Sequence, residues 1–95
     1  MFAVFVTFEV QPENFRAFVA RTKIQAEDSL AKEADCHVFD VWTDSQRANI
    51  VQLYEVYGDA GGFADHLKTD HFKDFDGEVS AMIVNKQVLT FDKKI

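Results

Sequence analysis

The side chains best suited to move a proton are His66, three positions after Phe63 and just before Leu67, and Glu55, in the middle of a strand-forming run. An imidazole titrates near neutral pH. At the edge of a helix's buried side, His66 is either a core histidine bonded to a backbone carbonyl or a proton donor and acceptor facing a cavity. Glu55 lies between Tyr54 and Val56. A mid-strand carboxylate needs water or a buried partner, here a histidine or a basic group of another subunit, so a structural ion pair and a site role both stand open. Tyr54 and Tyr57 present opposite faces of that strand, and a phenol beside an imidazole suits a hydroxylated aromatic ligand. His71 follows His66 by five, about 140° around a continuous helix, which is the wrong spacing for a metal-binding pair. A break at Thr69-Asp70 would bring the two rings together. No metal site is expected, nor a standard flavin or nicotinamide module: no G-x-G-x-x-G, G-x-x-x-x-G-K-[ST] or G-x-S-x-G pattern occurs. Cys36 has no Lys or Arg neighbour and reads as a buried, unactivated thiol.

The elements that must position these groups follow from periodicity. Residues 2–10 alternate, with Phe2, Val4, Val6, Phe8 and Val10 on one face and Ala3, Phe5, Thr7 and Glu9 on the other. Pro12 and Glu13 suit a first helical turn. Phe15, Phe18, Val19, Thr22, Ala26 and Leu30 then trace one face of a helix reaching about residue 33, with Ile24 opposite, either stray or a subunit contact. Cys36–Thr43 and Ile50–Tyr57 form a hairpin across a polar connection, and glycines 58, 61 and 62 end it. One short helix carries Phe63, His66 and Leu67. A second, capped by Thr69 or Asp70, carries Phe72, Phe75, Val79 and Met82. Val84–Phe91 is the last strand. The order β-α-β-β-α-β is the ferredoxin-like plan of the α+β class, an antiparallel four-stranded sheet with helices on one face. Its other face also carries large apolar groups, which predicts a homodimer through sheet-to-sheet contact.

The chain has 95 residues, enough for a single domain over 1–95. Sixteen acidic against ten basic residues give a net charge of −6, and no basic run offsets it, so nucleic acid is a poor partner. No apolar run is long enough to cross a bilayer. One cysteine and no leader pattern at Met1 fit a cytoplasmic protein. Phe5, Phe39, Phe63, Phe72, Phe75 and Trp42 are core first, and would line any cavity for a flat, apolar ligand.

Residues 53–72 resemble the antibiotic biosynthesis monooxygenase (ABM) family through Tyr54-Glu55, Asp59, Phe63, His66, Thr69 and His71-Phe72, and Cys36–Val41 looks like that family's second strand. Asp35 departs from the family's usual glycine there. The resemblance implies a dimeric α+β barrel that oxidises quinols or polyketide-type phenols with O2 and no cofactor, neither flavin, haem nor metal. It implies that His66 acts as base, that Tyr54 and His71 position a small aromatic or quinol-like substrate, and that Glu55 fixes a neighbouring ring or the dimer contact. Phe39, Trp42, Phe63 and Phe72 would line the site. A haem-degrading branch is disfavoured because residues 2–10 contain no Asn. A branch isomerising the phosphorylated autoinducer-2 signal is the alternative, with Lys32, Lys68 and Lys86 as scattered phosphate ligands. A non-catalytic dimeric barrel that binds a small ligand is the third.

Overall fold

The computed structural model describes residues 1–95. Strand β1 (Phe2–Val10) leads through a 3-10 turn at Pro12–Asn14 into helix α1 (Phe15–Lys32). Strands β2 (Cys36–Asp44) and β3 (Arg47–Tyr57) follow, then helices α2 (Ala60–His66) and α3 (Asp70–Val79), a second 3-10 turn and strand β4 (Ile83–Phe91). The sheet order is β2-β3-β1-β4 and every neighbouring pair is antiparallel. This is the α+β, ferredoxin-like fold that the alternation and helix spacing predict. No helix is long and apolar enough to cross a membrane.

Alternation decides which side chains meet the helices. Val4, Val6, Phe8 and Val10 of β1 and Val51, Leu53, Glu55 and Tyr57 of β3 are buried on one face. Phe18 of α1 and Phe75 and Val79 of α3 close over them, with Phe8 and Phe18 meeting edge to face at 5.0 Å between centroids. Truncating a ring so enclosed costs about 3–5 kcal/mol. The β2–β3 hairpin is tighter than its polar sequence suggests, because Asp44 accepts from the Gln46 backbone at 2.9 Å and from Arg47 at 3.0 and 2.8 Å.

Helix α1 is rotated from the phase its apolar residues predict. Thr22, Gln25, Ala26 and Ser29 are buried with Phe18, whereas Leu30 is 47% exposed. The polar members are stable there because they are bonded: Thr22 to the Phe18 carbonyl at 2.7 Å and Ser29 to the Gln25 carbonyl at 2.8 Å. Ile24 is exposed, as predicted.

The break between α2 and α3 is made by Thr69. Its hydroxyl donates to the His66 carbonyl at 2.8 Å and accepts from the Phe72 N–H at 3.2 Å, so it ends one helix and caps the next. Asp59 caps α2 through the Gly62 N–H at 2.9 Å. Gly58 and Gly62 leave the space taken by the Asp35 carboxylate, and a Cβ at either position would collide with it. Asp35 thus uses room that two glycines provide.

The face away from the helices carries an apolar patch beside polar groups such as Thr7, Gln52 and Gln87. Phe5 stacks on Tyr54 at 5.1 Å and meets Phe91 edge-on at 5.8 Å, while Leu89 and Phe91 are about half exposed.

Candidate functional site

Three elements deliver acid–base groups to one point between the helices and the sheet. The last residue of α2 supplies His66, the first turn of α3 supplies His71, and the end of α1 supplies Glu33. His66 Nδ1 and His71 Nε2 each lie 2.8 Å from the same oxygen, Glu33 Oε2. The first contact is a directed hydrogen bond. The second is not aligned as one. His71 is tied from its other nitrogen to Gln25 Oε1 at 3.3 Å, and Gln25 is fully buried on α1. The helix break thus joins two histidines that a continuous helix would separate, their ring centroids 6.0 Å apart.

From β3, Glu55 approaches His66 on the other side, with Oε1 3.9 Å from His66 Nε2. That separation is too long for a hydrogen bond. Instead Glu55 Oε1 accepts from the Tyr57 hydroxyl at 2.6 Å. Aromatic rings surround the imidazole: Phe39, Tyr57, Phe63 and Phe72 have centroids 5.1 to 6.2 Å from it.

Burial sets the protonation states. His66 is 2% exposed, and loss of solvent pushes its pKa below the usual imidazole value, although the Glu33 carboxylate opposes the shift. Glu55 is 3% exposed, and burial raises its pKa to about 7, with the Tyr57 hydrogen bond pulling the other way and the Glu33 charge adding to the rise. Burial, with Glu55 beside it, lifts the Tyr57 hydroxyl far above the phenol range. Burial likewise lifts the Cys36 thiol to about 11, so it is not a nucleophile.

Beside this cluster is a cavity of about 220 Å³, lined mainly by hydrophobic side chains. Its wall includes Phe39, Phe63 and Phe72 with His66 and Glu55, as the sequence predicts. Tyr54 and Trp42 are not brought to it. Each lies on the outer face of the sheet because a strand alternates: Tyr54 adjoins the inward Glu55, and Trp42 is paired with the outward Gln52. Trp42 is 61% exposed. His71 belongs to the cluster but not to the cavity lining. Glu33 and Gln25 go unread in the sequence, whereas Tyr57 is read only as one of two phenols on opposite strand faces. Tyr57 shares the strand parity of Glu55, so alternation alone offered it. Gln25 and Ser29 continue the Phe18–Thr22 line on α1, a polar stripe that marks a buried network. Glu33 caps the end of α1 and carries no periodic signal. No group of three or more His, Cys, Asp or Glu side chains is arranged to hold a metal ion.

The ferredoxin-like α+β domain thus sets a carboxylate–imidazole cluster beside a ring-lined cavity. The chain belongs to the antibiotic biosynthesis monooxygenase family, whose model matches residues 1–77. Among solved structures, a conserved protein of Methanosarcina mazei Go1 is 26% identical with a TM-score of 0.90, over 98% of this chain and 92% of that one. A Nitrosomonas europaea protein provisionally named an antibiotic biosynthesis monooxygenase has a TM-score of 0.93 at 21% identity, over 100% of both chains. A Bacteroides thetaiotaomicron protein described as a possible oxidoreductase has a TM-score of 0.89 at 24% identity, over 97% and 96%. The search of curated proteins gave no match.

Proposed function

We propose that this protein is a monooxygenase that oxidises an electron-rich quinol or phenol with O2, needing neither flavin, haem nor metal, and that it works as a homodimer. The observation that carries the reading is the geometry at His66, whose buried Nδ1 lies 2.8 Å from Glu33 Oε2. With the Glu33 carboxylate accepting, Nδ1 carries the proton, and burial favours the neutral ring with its lone pair on Nε2. Both His66 and Glu55 line an apolar cavity. A neutral imidazole held by a carboxylate is the arrangement a general base needs.

Nε2 takes the proton of the substrate hydroxyl, and the Glu33 carboxylate stabilises the imidazolium that forms. The electron-rich phenolate supplies electrons to O2, and a carbon–oxygen bond forms. One oxygen atom ends as a quinone carbonyl and the other leaves as water, so a phenol plus O2 yields a quinone plus water. The rings around His66 keep solvent from the intermediate. Glu55, near half-ionised at neutral pH, stands where it can return a proton to the departing oxygen.

The outer sheet face supports the dimer: Phe5, Tyr54, Leu89 and Phe91 form a patch that a second sheet would cover. Tyr54 then acts at the subunit contact rather than on the substrate. The buried Cys36 thiol suits a reducing, cytosolic setting. The isomerase alternative finds little support, since of Lys32, Lys68 and Lys86 only Lys86 lines the cavity.

Oxygen consumption with a hydroquinone or naphthohydroquinone substrate and no added cofactor tests the proposal. His66→Ala lowers turnover at least about tenfold with the fold intact. Equal rates in the variant would remove His66 from the chemistry, and inertness of the wild-type protein would leave a binding module.

A further inference from the structure

We infer that the ligand of this cavity is a hydroxyarene of one or two fused rings bearing an anionic substituent, its hydroxyl toward His66 and its anionic group held by Lys86 at the cavity rim. This deepens the proposed reading and rests on it. The ring count follows from volume. A dry apolar cavity of about 150 Å³ holds one benzene ring. At about 220 Å³ this partly open cavity takes a substituted ring or a fused pair, and a third fused ring would project from its mouth.

The substituent follows from charge. Lys86 is the only lysine or arginine lining the cavity. It lies on β4 opposite Phe8, on the helix-facing side, and its ammonium sits 5.7 Å from the Phe8 ring centroid, over a cavity wall. No carboxylate lies within ion-pair distance of it: the ion pairs of the protein involve other residues, and Asp76, also on the lining, is not joined to it. Glu55 feels its charge without contacting it. The protein carries −6 overall, which disfavours anions in general, and Lys86 is the one basic side chain that the lining, shared with Glu55 and Asp76, offers an anion without a carboxylate already paired to it. His66 and Lys86 are thus two polar anchors on a mainly apolar lining. A flat ring with a hydroxyl at one end and a carboxylate at the other satisfies both.

Binding titration of the wild-type protein with redox-stable pairs tests this apart from turnover: phenol against 4-hydroxybenzoate, and 2-naphthol against 6-hydroxy-2-naphthoate. In low salt the carboxylated member of each pair binds about fivefold tighter, the worth of one partly exposed ion pair. The preference shrinks as salt rises. Lys86→Met removes the difference within each pair, and 2-hydroxyanthracene binds more weakly than 2-naphthol. Equal binding within the pairs, or a preference that survives Lys86→Met, overturns the assignment to Lys86 while leaving the proposed activity standing. Tighter binding of the anthracene overturns the ring limit alone. Failure of every arene to bind overturns the cavity's role itself.

Discussion

Replacing Glu55 by glutamine changes the pH dependence of stability by an amount the structure fixes. Glu55 titrates near 7 in the folded protein against an ordinary value of 4.5, because burial disfavours its charge. A carboxylate with a raised folded pKa binds its proton more tightly in the folded state. Its ionisation therefore weakens folding progressively as pH rises from 4.5 to about 7, after which the loss is complete. The full penalty is about 3 kcal/mol, and most of it, about 2–3 kcal/mol, falls between pH 5 and pH 8. The carboxamide of the Glu55→Gln variant retains an oxygen for the Tyr57 hydroxyl and has no charge to bury. Urea unfolding at pH 5 and pH 8, at one fixed protein concentration, measures both proteins. The stability of the variant relative to wild type rises by about 2–3 kcal/mol from the lower to the higher pH. His66 acts in the opposite sense: its folded pKa is lowered, so it costs stability as pH falls below 6.5. Taking the difference between the two proteins at each pH isolates Glu55 from that trend. A relative change below about 1 kcal/mol would refute the claim that Glu55 is buried and reluctant to ionise.

Other consequences follow from single contacts. Glu33→Gln weakens the charge that holds His66 and His71 and lowers kcat at least about tenfold with a smaller effect on KM; steady-state kinetics with intact far-UV circular dichroism checks it. Gly62→Ala forces a methyl into the Asp35 carboxylate and costs about 1–3 kcal/mol by chemical denaturation. Adding Asp35→Ala to that variant recovers most of the loss. Phe5→Asp places a charge on the outer sheet face, and light scattering is expected to find single protomers of the variant and the proposed dimer of the wild-type protein.

Much of this architecture is legible in the sequence, for reasons that also explain what is not. Period-two alternation in residues 2–10 and 50–57 fixes which strand residues meet the helices, and with them Glu55 and Tyr57. The same alternation sends Tyr54 outward; its placement beside His66 came from the family resemblance, not from the strand. Trp42 misleads in a different way, since its size argues for burial while its register with Gln52 leaves it in the open. The phase of α1 escapes a count of apolar residues because Thr22, Gln25 and Ser29 are buried through hydrogen bonds. Glu33 is invisible for a deeper reason. Its role depends on the connection from α1 to β2 and on the break at Thr69, which together bring residues 33, 66 and 71 to one point.

The account rests on a neutral, enclosed imidazole at position 66, and nitrogen-15 NMR of the labelled histidines observes that state directly. Through a titration from pH 8 to pH 5, His66 is expected to keep its proton on Nδ1, to stay neutral below the ordinary imidazole value of 6.5, and to shift at Nε2 when 2-naphthol is added. A His66 that protonates at or above that value and ignores the naphthol would contradict it.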